Sequence, residues 1–351
     1  MSTTTARPAA GHGARVPAGA APGPLRGEAP GRKQAAWLLA AASLAVGARE
    51  VPLATVWQAL TGFDPGNGDH AVVQARIPRT VLGLLAGAAL GLAGAAMQGV
   101  ARNPLADPGI IGVNAGAALA VVTGIYVFGI TGFAGYVWFA FAGAAAAAVV
   151  VYLVASLGRE GATPVKLALA GAALSAGLSS LMNIILVSSQ DTLDRFRFWQ
   201  VGGVAGRDWS VLLPGLPFLA AGALVVLLAG RTLNGLALGE DIARGLGQRV
   251  GLSRAVIALG VVLLCGTATA LAGPIGFMGL VVPHAVRFLT GPDYRWILPF
   301  SLIAAPALLL GADIFGRVVL LPGEVPAGIM TALLGAPVFV WLIRRGKGAG
   351  L

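Results

Sequence analysis

The sequence predicts an all-α polytopic membrane protein with about ten transmembrane helices. Three observations carry that prediction. Apolar residues make up 57% of the 351-residue chain and charged residues only 11%, where a soluble domain carries about 25% charged residues. The charges cluster and leave long uncharged runs; the one from Pro108 to Gly158 is long enough for two crossings of about 20 residues. The stretch RIPRTVLGLLAGAALGLAGAAMQGVARNPLADPGIIGVNAG at residues 76–116 joins a glycine-stepped apolar helix to a polar, proline-bounded break and then to a second apolar helix. Such a break belongs in water or against protein, because lipid cannot satisfy its backbone groups.

The charge-poor windows place spans at 34–48, 78–100, 110–129, 133–157, 166–188, 210–230, 253–272, 275–290, 296–316 and 325–343. The first is short for a bilayer. An even number returns both termini to one side. With that side cytoplasmic, the inner segments hold 17 of the 24 basic residues, as the positive-inside bias requires. Five of those lie in the N-terminal tail; without them the ratio is 12 to 7. Residues 1–33, rich in Ala, Pro and Gly with scattered arginines, read as a disordered basic tail without the apolar core of a signal peptide. Residues 34–345 form one ten-helix domain with a cytoplasmic loop at 234–251, and 346–351 a C-terminal tail. Pro108-Gly-Ile-Ile-Gly112 is echoed by Gly273-Pro-Ile-Gly276-Phe-Met-Gly279. The echo suggests an inverted repeat of the second to fifth and seventh to tenth spans.

A net charge of +10 raises nucleic acid as a partner. The basic residues sit at span ends rather than in one patch, so no nucleic acid is expected. Cys265 stands alone, which excludes a disulfide framework and a thiolate metal site. There is no GxxxxGK[ST] phosphate loop, no HExxH and no nucleophile elbow. Carboxylates within spans, which a stand-alone secondary transporter uses for coupling, are nearly absent; Asp313 is the main exception.

Local motifs add detail. Gly83, Gly87, Gly91 and Gly94 step down one face of the second span, a pattern that lets helices approach closely. Gln98 continues that face as an interhelical hydrogen-bonding residue. In Asn103-Pro-Leu-Ala-Asp107-Pro108, both prolines interrupt helix while Asn103 and Asp107 suit capping. The inner loop contains Leu238-Gly-Glu-Asp-Ile-Ala-Arg-Gly-Leu-Gly247. Glu240 and Asp241 suit a helix start and Gly247 a helix end. Leu238, Ile242 and Leu246 then form a stripe that faces the protein body, the lipid surface or a partner. His284, at the end of the eighth span, is expected to make a helix-end hydrogen bond rather than hold a metal. Arg76, Arg79 and Arg317 lie on the outer side against the charge bias, as headgroup anchors or as docking charges for an acidic partner.

These motifs together resemble the FecCD-type permeases, the membrane subunits of ATP-binding-cassette importers for ferric siderophores, haem and cobalamin. The matching blocks are Arg76-Ile-Pro-Arg79, Gly87-Ala-Ala-Leu-Gly91, Gln98, Arg102-Asn-Pro-Leu-Ala-Asp-Pro108 and Leu238 to Gly247. They continue through Gly276-Phe-Met-Gly-Leu-Val-Val-Pro-His284, Gly311-Ala-Asp313, Arg317 and Glu324-Val-Pro-Ala-Gly328, in order along residues 76–343. Asn114-Ala-Gly116 looks most like ferric-siderophore permeases. The resemblance implies a multi-pass protein of a bacterial plasma membrane that works as a homo- or heterodimer of permeases. It implies a cytoplasmic ATPase dimer, which holds the ATP and Mg, and an extracytoplasmic substrate-binding protein; no cofactor or metal is expected on this chain. It further implies docking through Arg76, Arg79 and Arg317, and ATPase coupling through Leu238, Glu240, Asp241, Ile242, Arg244, Leu246 and Gly247. A cytoplasmic gate would involve Asn103, Leu105, Thr163 and Pro164. A haem or cobalamin importer of the same family, or a stand-alone secondary transporter, is the alternative.

Overall fold

The computed structural model describes residues 31–47, 49–157 and 163–346. Nearly all of the expected N-terminal tail (1–33) and C-terminal tail (346–351) therefore lies outside the described residues. In order, the helices are α1 (Gly31–Ala45), α2 (Leu53–Thr61), α3 (Gly68–Ala101), α4 (Val113–Phe128), α5 (Phe133–Ser156), α6 (Pro164–Ser188), α7 (Gln190–Gln200) and α8 (Trp209–Leu212). They continue as α9 (Leu216–Leu228), α10 (Gly230–Ala237), α11 (Glu240–Gly245), α12 (Val250–Ala272), α13 (Met278–Thr290), α14 (Tyr294–Val319) and α15 (Ala327–Gly346). No strand occurs among the described residues.

Among the described residues, six helical segments are long and apolar enough to cross a membrane: 68–101, 134–156, 165–188, 209–228, 250–272 and 294–319. Shorter apolar helices at 113–128, 278–290 and 327–341, together with α1, fill the remaining expected positions. The sixth span is assembled from α8, a 3-10 turn at Leu213–Gly215 and α9. Pro214 and Pro217 account for the break, since neither can donate a ladder hydrogen bond.

α3 is the hub. It packs most extensively on α14, then on α12 and α13, and its residues from Ala89 to Val100 are all buried. It is also longer than its uncharged stretch predicts, beginning at Gly68 rather than near residue 78. Arg76 and Arg79 end the apolar stretch but not the helix. The start is set by Asn67, whose side chain accepts from the backbone N–H of Asp69 at 2.9 Å. At about 1.5 Å per residue α3 is roughly 50 Å long, well beyond the hydrocarbon thickness of about 30 Å. It separates an end carrying Arg76, Arg79 and Arg317 from an end carrying Arg102 and α11.

Candidate functional site

The glycine face is a backbone contact surface. A Cβ on Gly87 would meet the Cα of Pro306 at 2.7 Å, and one on Gly91 the Cβ of Ala305 at 2.5 Å, both on α14. A Cβ on Gly83 would meet Leu310 at 2.7 Å. Gly94 touches α13 instead: its Cβ would fall 2.2 Å from the Cα of Gly279. Just below, Gln98 is 1% exposed and its Nε2 donates to the carbonyl of Gly279 at 3.0 Å. Close glycine packing and the Gln98 amide, which also reaches the carbonyl of Leu280 at 3.3 Å, thus fix α3 against both neighbours, as the spacing predicts.

At the arginine end, side chains far apart in sequence converge. The carboxylate of Asp313, 1% exposed, accepts from Arg79 Nε at 3.1 Å and Nη2 at 2.8 Å. It also accepts from Arg317 Nε at 3.0 Å and from Arg317 Nη2. The remaining Nη1 of Arg79 donates to Glu324 at 2.7 Å. Arg317 reaches α1, donating to the carbonyls of Ser43 at 2.6 Å and Val46 at 3.1 Å. Arg76 donates to the carbonyls of Leu44 at 2.8 Å and Ala45 at 3.1 Å, and to Arg49 at 2.7 Å. Ser43, Leu44 and Ala45 supply the last carbonyls of α1, which have no partner within their own helix, while Val46 and Arg49 lie just past its end.

The three arginines are therefore not equivalent. Arg317, expected with the others to face a docking partner, is 1% exposed and internally satisfied, so it braces α14 against α1. Arg79 is 13% exposed and shares itself between a buried and a half-exposed carboxylate. Beside them opens a cavity of about 370 Å³ lined by Arg79, Asp313, Glu324, Arg207 and Phe198. Sequence reasoning missed Glu324 and Ser43 as members of this network. The i,i+4 spacing of Asp313 and Arg317 was a local signal for their pairing; no local signal links them to Ser43.

At the opposite end, α11 is a short six-residue helix rather than one running from Leu238 to Leu246. Gly239, with φ 114°, precedes it. The chain closes through Gly247 at φ 80°: Gly247 N–H donates to Arg244 O at 2.9 Å and Gln248 N–H to Ala243 O at 3.0 Å. This is a left-handed helix cap. Glu240 holds Arg244 at 2.9 Å and Arg254 at 2.7 Å, and Asp241 holds Arg244 at 3.2 Å. The hydrogen bond from Arg254 keeps the Glu240 carboxyl below the usual range. Ala243 is fully buried and seats the helix, while Leu238, Ile242 and Leu246 are 62%, 53% and 65% exposed. The stripe therefore does not pack on the protein body. Next to it, Arg102 and residues 238–242 and 244 line a cleft of about 440 Å³.

The remaining sequence-predicted residues divide. Asn103 is exposed and its Oδ1 accepts from Leu105 N–H at 2.9 Å, which leaves Leu105 46% exposed in the turn after α3. Thr163 caps α6, accepting from Lys166 N–H at 3.4 Å, and Pro164 is the first residue of that helix. His284 corrects an expectation. It sits inside α13, which continues to Thr290, and neither ring nitrogen has a hydrogen-bond partner. Its ring lies edge-on to Phe288 and Phe339 at 5.2 and 6.4 Å, an apolar setting that a histidine at the helix end would not have.

Comparison with known proteins places this geometry. Residues 35–345 match the FecCD transport family. The chain is 47% identical to the probable siderophore transport system permease protein YfiZ of Bacillus subtilis (strain 168), over 83% of this chain and 87% of that protein. It is 47% identical to the ferric enterobactin transport system permease protein FepD of Escherichia coli (strain K12), over 88% and 92%. The hemin transport system permease protein HmuU of Yersinia pestis is 35% identical over 88% and 93%. A solved structure described as an inward-facing conformation of a metal-chelate type ABC transporter superposes with a TM-score of 0.78 at 29% identity, covering 90% of this chain and 98% of that one. With that match spanning nearly all the described helices, the chain belongs to the FecCD transport family.

Proposed function

We propose that this chain is the membrane permease subunit of an ATP-binding-cassette importer that carries ferric siderophores across a bacterial cytoplasmic membrane. The observation that carries the reading is the 47% identity to siderophore and ferric enterobactin permeases along more than four-fifths of the chain. The lower identity to a hemin permease favours siderophore over haem. Both described ends of the chain lie at the α11 end, which is cytoplasmic under the positive-inside bias.

In this reading α11 is the contact for an ATPase dimer that holds ATP and Mg. A helix meets a groove through anchors spaced like Leu238, Ile242 and Leu246, and the arginine pairs of Glu240 keep the helix rigid. Glu240, Asp241 and Arg244 frame the contact, and Gly247 closes it. The opposite end receives the extracytoplasmic binding protein, with Arg79 and Arg76 at the rim and Arg317 fixing their support. Asn103, Leu105, Thr163 and Pro164 form the gate on the ATPase side. A large polar chelate needs a wide path, which two permease copies or paralogues enclose between them. Closure of the ATPase then moves the helices as rigid bodies.

The test is uptake of radiolabelled iron in a deletion strain. Loss of uptake of at least one ferric siderophore, with ionic iron uptake intact, is the expected result. Selective loss of haem or cobalamin uptake would reassign the substrate. Normal uptake of every chelate, haem and cobalamin would overturn the assignment.

A further inference from the structure

Helix α2 has no part in the functions above. It carries no charged residue, and its surface divides into three sectors. Val56 and Ala59 are buried in a small core with Ala45, Val51 and Val73. Leu53, Trp57 and Leu60 fall within about 60° of one another at 100° per residue, and they are 63%, 68% and 49% exposed. Phe63, just past the helix, is 47% exposed. The third sector, with Gln58 and Thr61, is polar and exposed. A helix in water has no use for two apolar sectors.

The height of α2 says what covers the second one. From Thr80 onward α3 runs uncharged for about 22 residues, about 33 Å of rise, which matches a hydrocarbon core of about 30 Å. Arg79 therefore marks the edge of that core. Arg76, one turn beyond, binds the carbonyls of Leu44 and Ala45, so α1 ends at the same level. The core that α2 packs on joins Ala45 to Val73, a position about 9 Å beyond Arg79 along α3. α2 thus lies at the headgroup layer, where tryptophan collects.

We infer that α2 is an interfacial anchor, with Leu53, Trp57, Leu60 and Phe63 sunk into the acyl boundary of the near leaflet and Gln58 and Thr61 turned to water. Helices of this kind insert only their apolar face, by about 5–10 Å. The anchor holds the end of α1, and with it the carbonyls that Arg76 and Arg317 bind, at a fixed height above the bilayer.

The experiment is spin labelling in nanodiscs of phosphatidylcholine and phosphatidylglycerol, in a Cys265→Ala background so that each label is unique. Labels are placed by Trp57→Cys, Leu60→Cys and Gln58→Cys in separate full-length proteins. The expected result is a several-fold higher ratio of oxygen to water-soluble nickel-chelate collisions at 57 and 60 than at 58. Equal ratios at all three positions would show no lipid-facing sector distinct from Gln58 and overturn the inference. Immobile labels at 57 and 60, shielded from both reagents, would show a second copy or another protein covering it and would equally overturn it. Leu60→Cys keeps the test decisive if Trp57→Cys does not fold.

Discussion

At the scale of single residues, the arginine network sets which charges can be removed safely. Asp313 is the carboxylate that neutralises Arg317, and both are 1% exposed. Asp313→Asn keeps the shape but leaves a buried guanidinium without its counter-charge, a change that costs about 3–5 kcal/mol. Subunit abundance and the midpoint of thermal unfolding in detergent should both fall clearly. Glu324 is 35% exposed, so Glu324→Gln removes a partly solvated pair worth about 0–1 kcal/mol and should leave both measurements near wild type. An equal loss in the two variants would mean that the buried pair carries no special weight. The glycine face gives a second contrast. Gly94→Ala drives a methyl into the Cα of Gly279 at 2.2 Å and should lower abundance sharply, because backbone cannot rotate away as a side chain can. The same substitution at Gly245, where nothing lies within 4 Å, should be tolerated, and similar abundance for the two would contradict the packing described. The glycine spacing was readable from a single segment. Arg317's bonds to Ser43 and Val46 were not, since they join residues more than 270 positions apart.

At the scale of elements, helix identity followed from apolar length and helix ends from caps. Hydropathy located the spans because lipid forces each crossing to be long and apolar. It missed α2, α7 and α10, whose helices do not cross anything. α7, QDTLDRFRFWQ, is strongly polar along its length yet buries Phe196 and Trp199 and is capped by Ser189. α11 was legible from Glu240, Asp241 and Gly247, but its stripe could have faced inward, and only the folded exposures exclude that. Two substitutions test what the stripe does. Ile242→Asp changes a half-exposed side chain, and Gly247→Val changes a position at φ 80° with open space around it, costing about 1–2 kcal/mol of backbone strain. Both should preserve membrane insertion while abolishing co-purification of the ATPase or its stimulated hydrolysis. Normal coupling in the surviving subunits would sink the assignment. The loop also has a pH signature. Glu240 titrates below its unfolded value of about 4.3, so its pairing with Arg254 stabilises fully above that value and is lost as pH falls through the folded one. Hydrogen-exchange protection of residues 240–248 should therefore hold from neutral pH to about 5 and decline below about 4; constant protection down to strong acid would show that the pair does not hold the loop.

At the scale of the whole molecule, α3 carries different chemistry at two levels about 34 Å apart, from Arg79 to Arg102: a charged network with a cavity at one, and an apolar stripe on a capped helix at the other. The separation was legible as alternating spans and a charge bias. The internal neutralisation of the outer arginines was not, because Asp313 and Glu324 lie 234 and 245 residues from Arg79. That neutralisation changes what docking should look like. Arg79 offers its Nε and Nη2 to buried Asp313, which nothing outside can displace, and its Nη1 to Glu324, which solvent reaches. An acidic group from a binding protein would compete with Glu324 for that single edge. Charges at a partly exposed rim alter association rate and its salt dependence more than final affinity. Glu324→Gln should then speed association of the binding protein, by about threefold or more at low salt, since it removes the competing carboxylate and raises the local positive potential. Arg79→Gln should slow association and flatten its dependence on ionic strength. The two variants have to be read beside their unfolding midpoints, because Arg79→Gln also strips one partner from Asp313 while Glu324→Gln leaves the buried core untouched. Stopped-flow association across a salt series, with both variants in nanodiscs, separates the cases. If Glu324→Gln slows association or leaves it unchanged while its stability matches wild type, the Arg79–Glu324 pair is structural and the docking charge lies elsewhere on the rim.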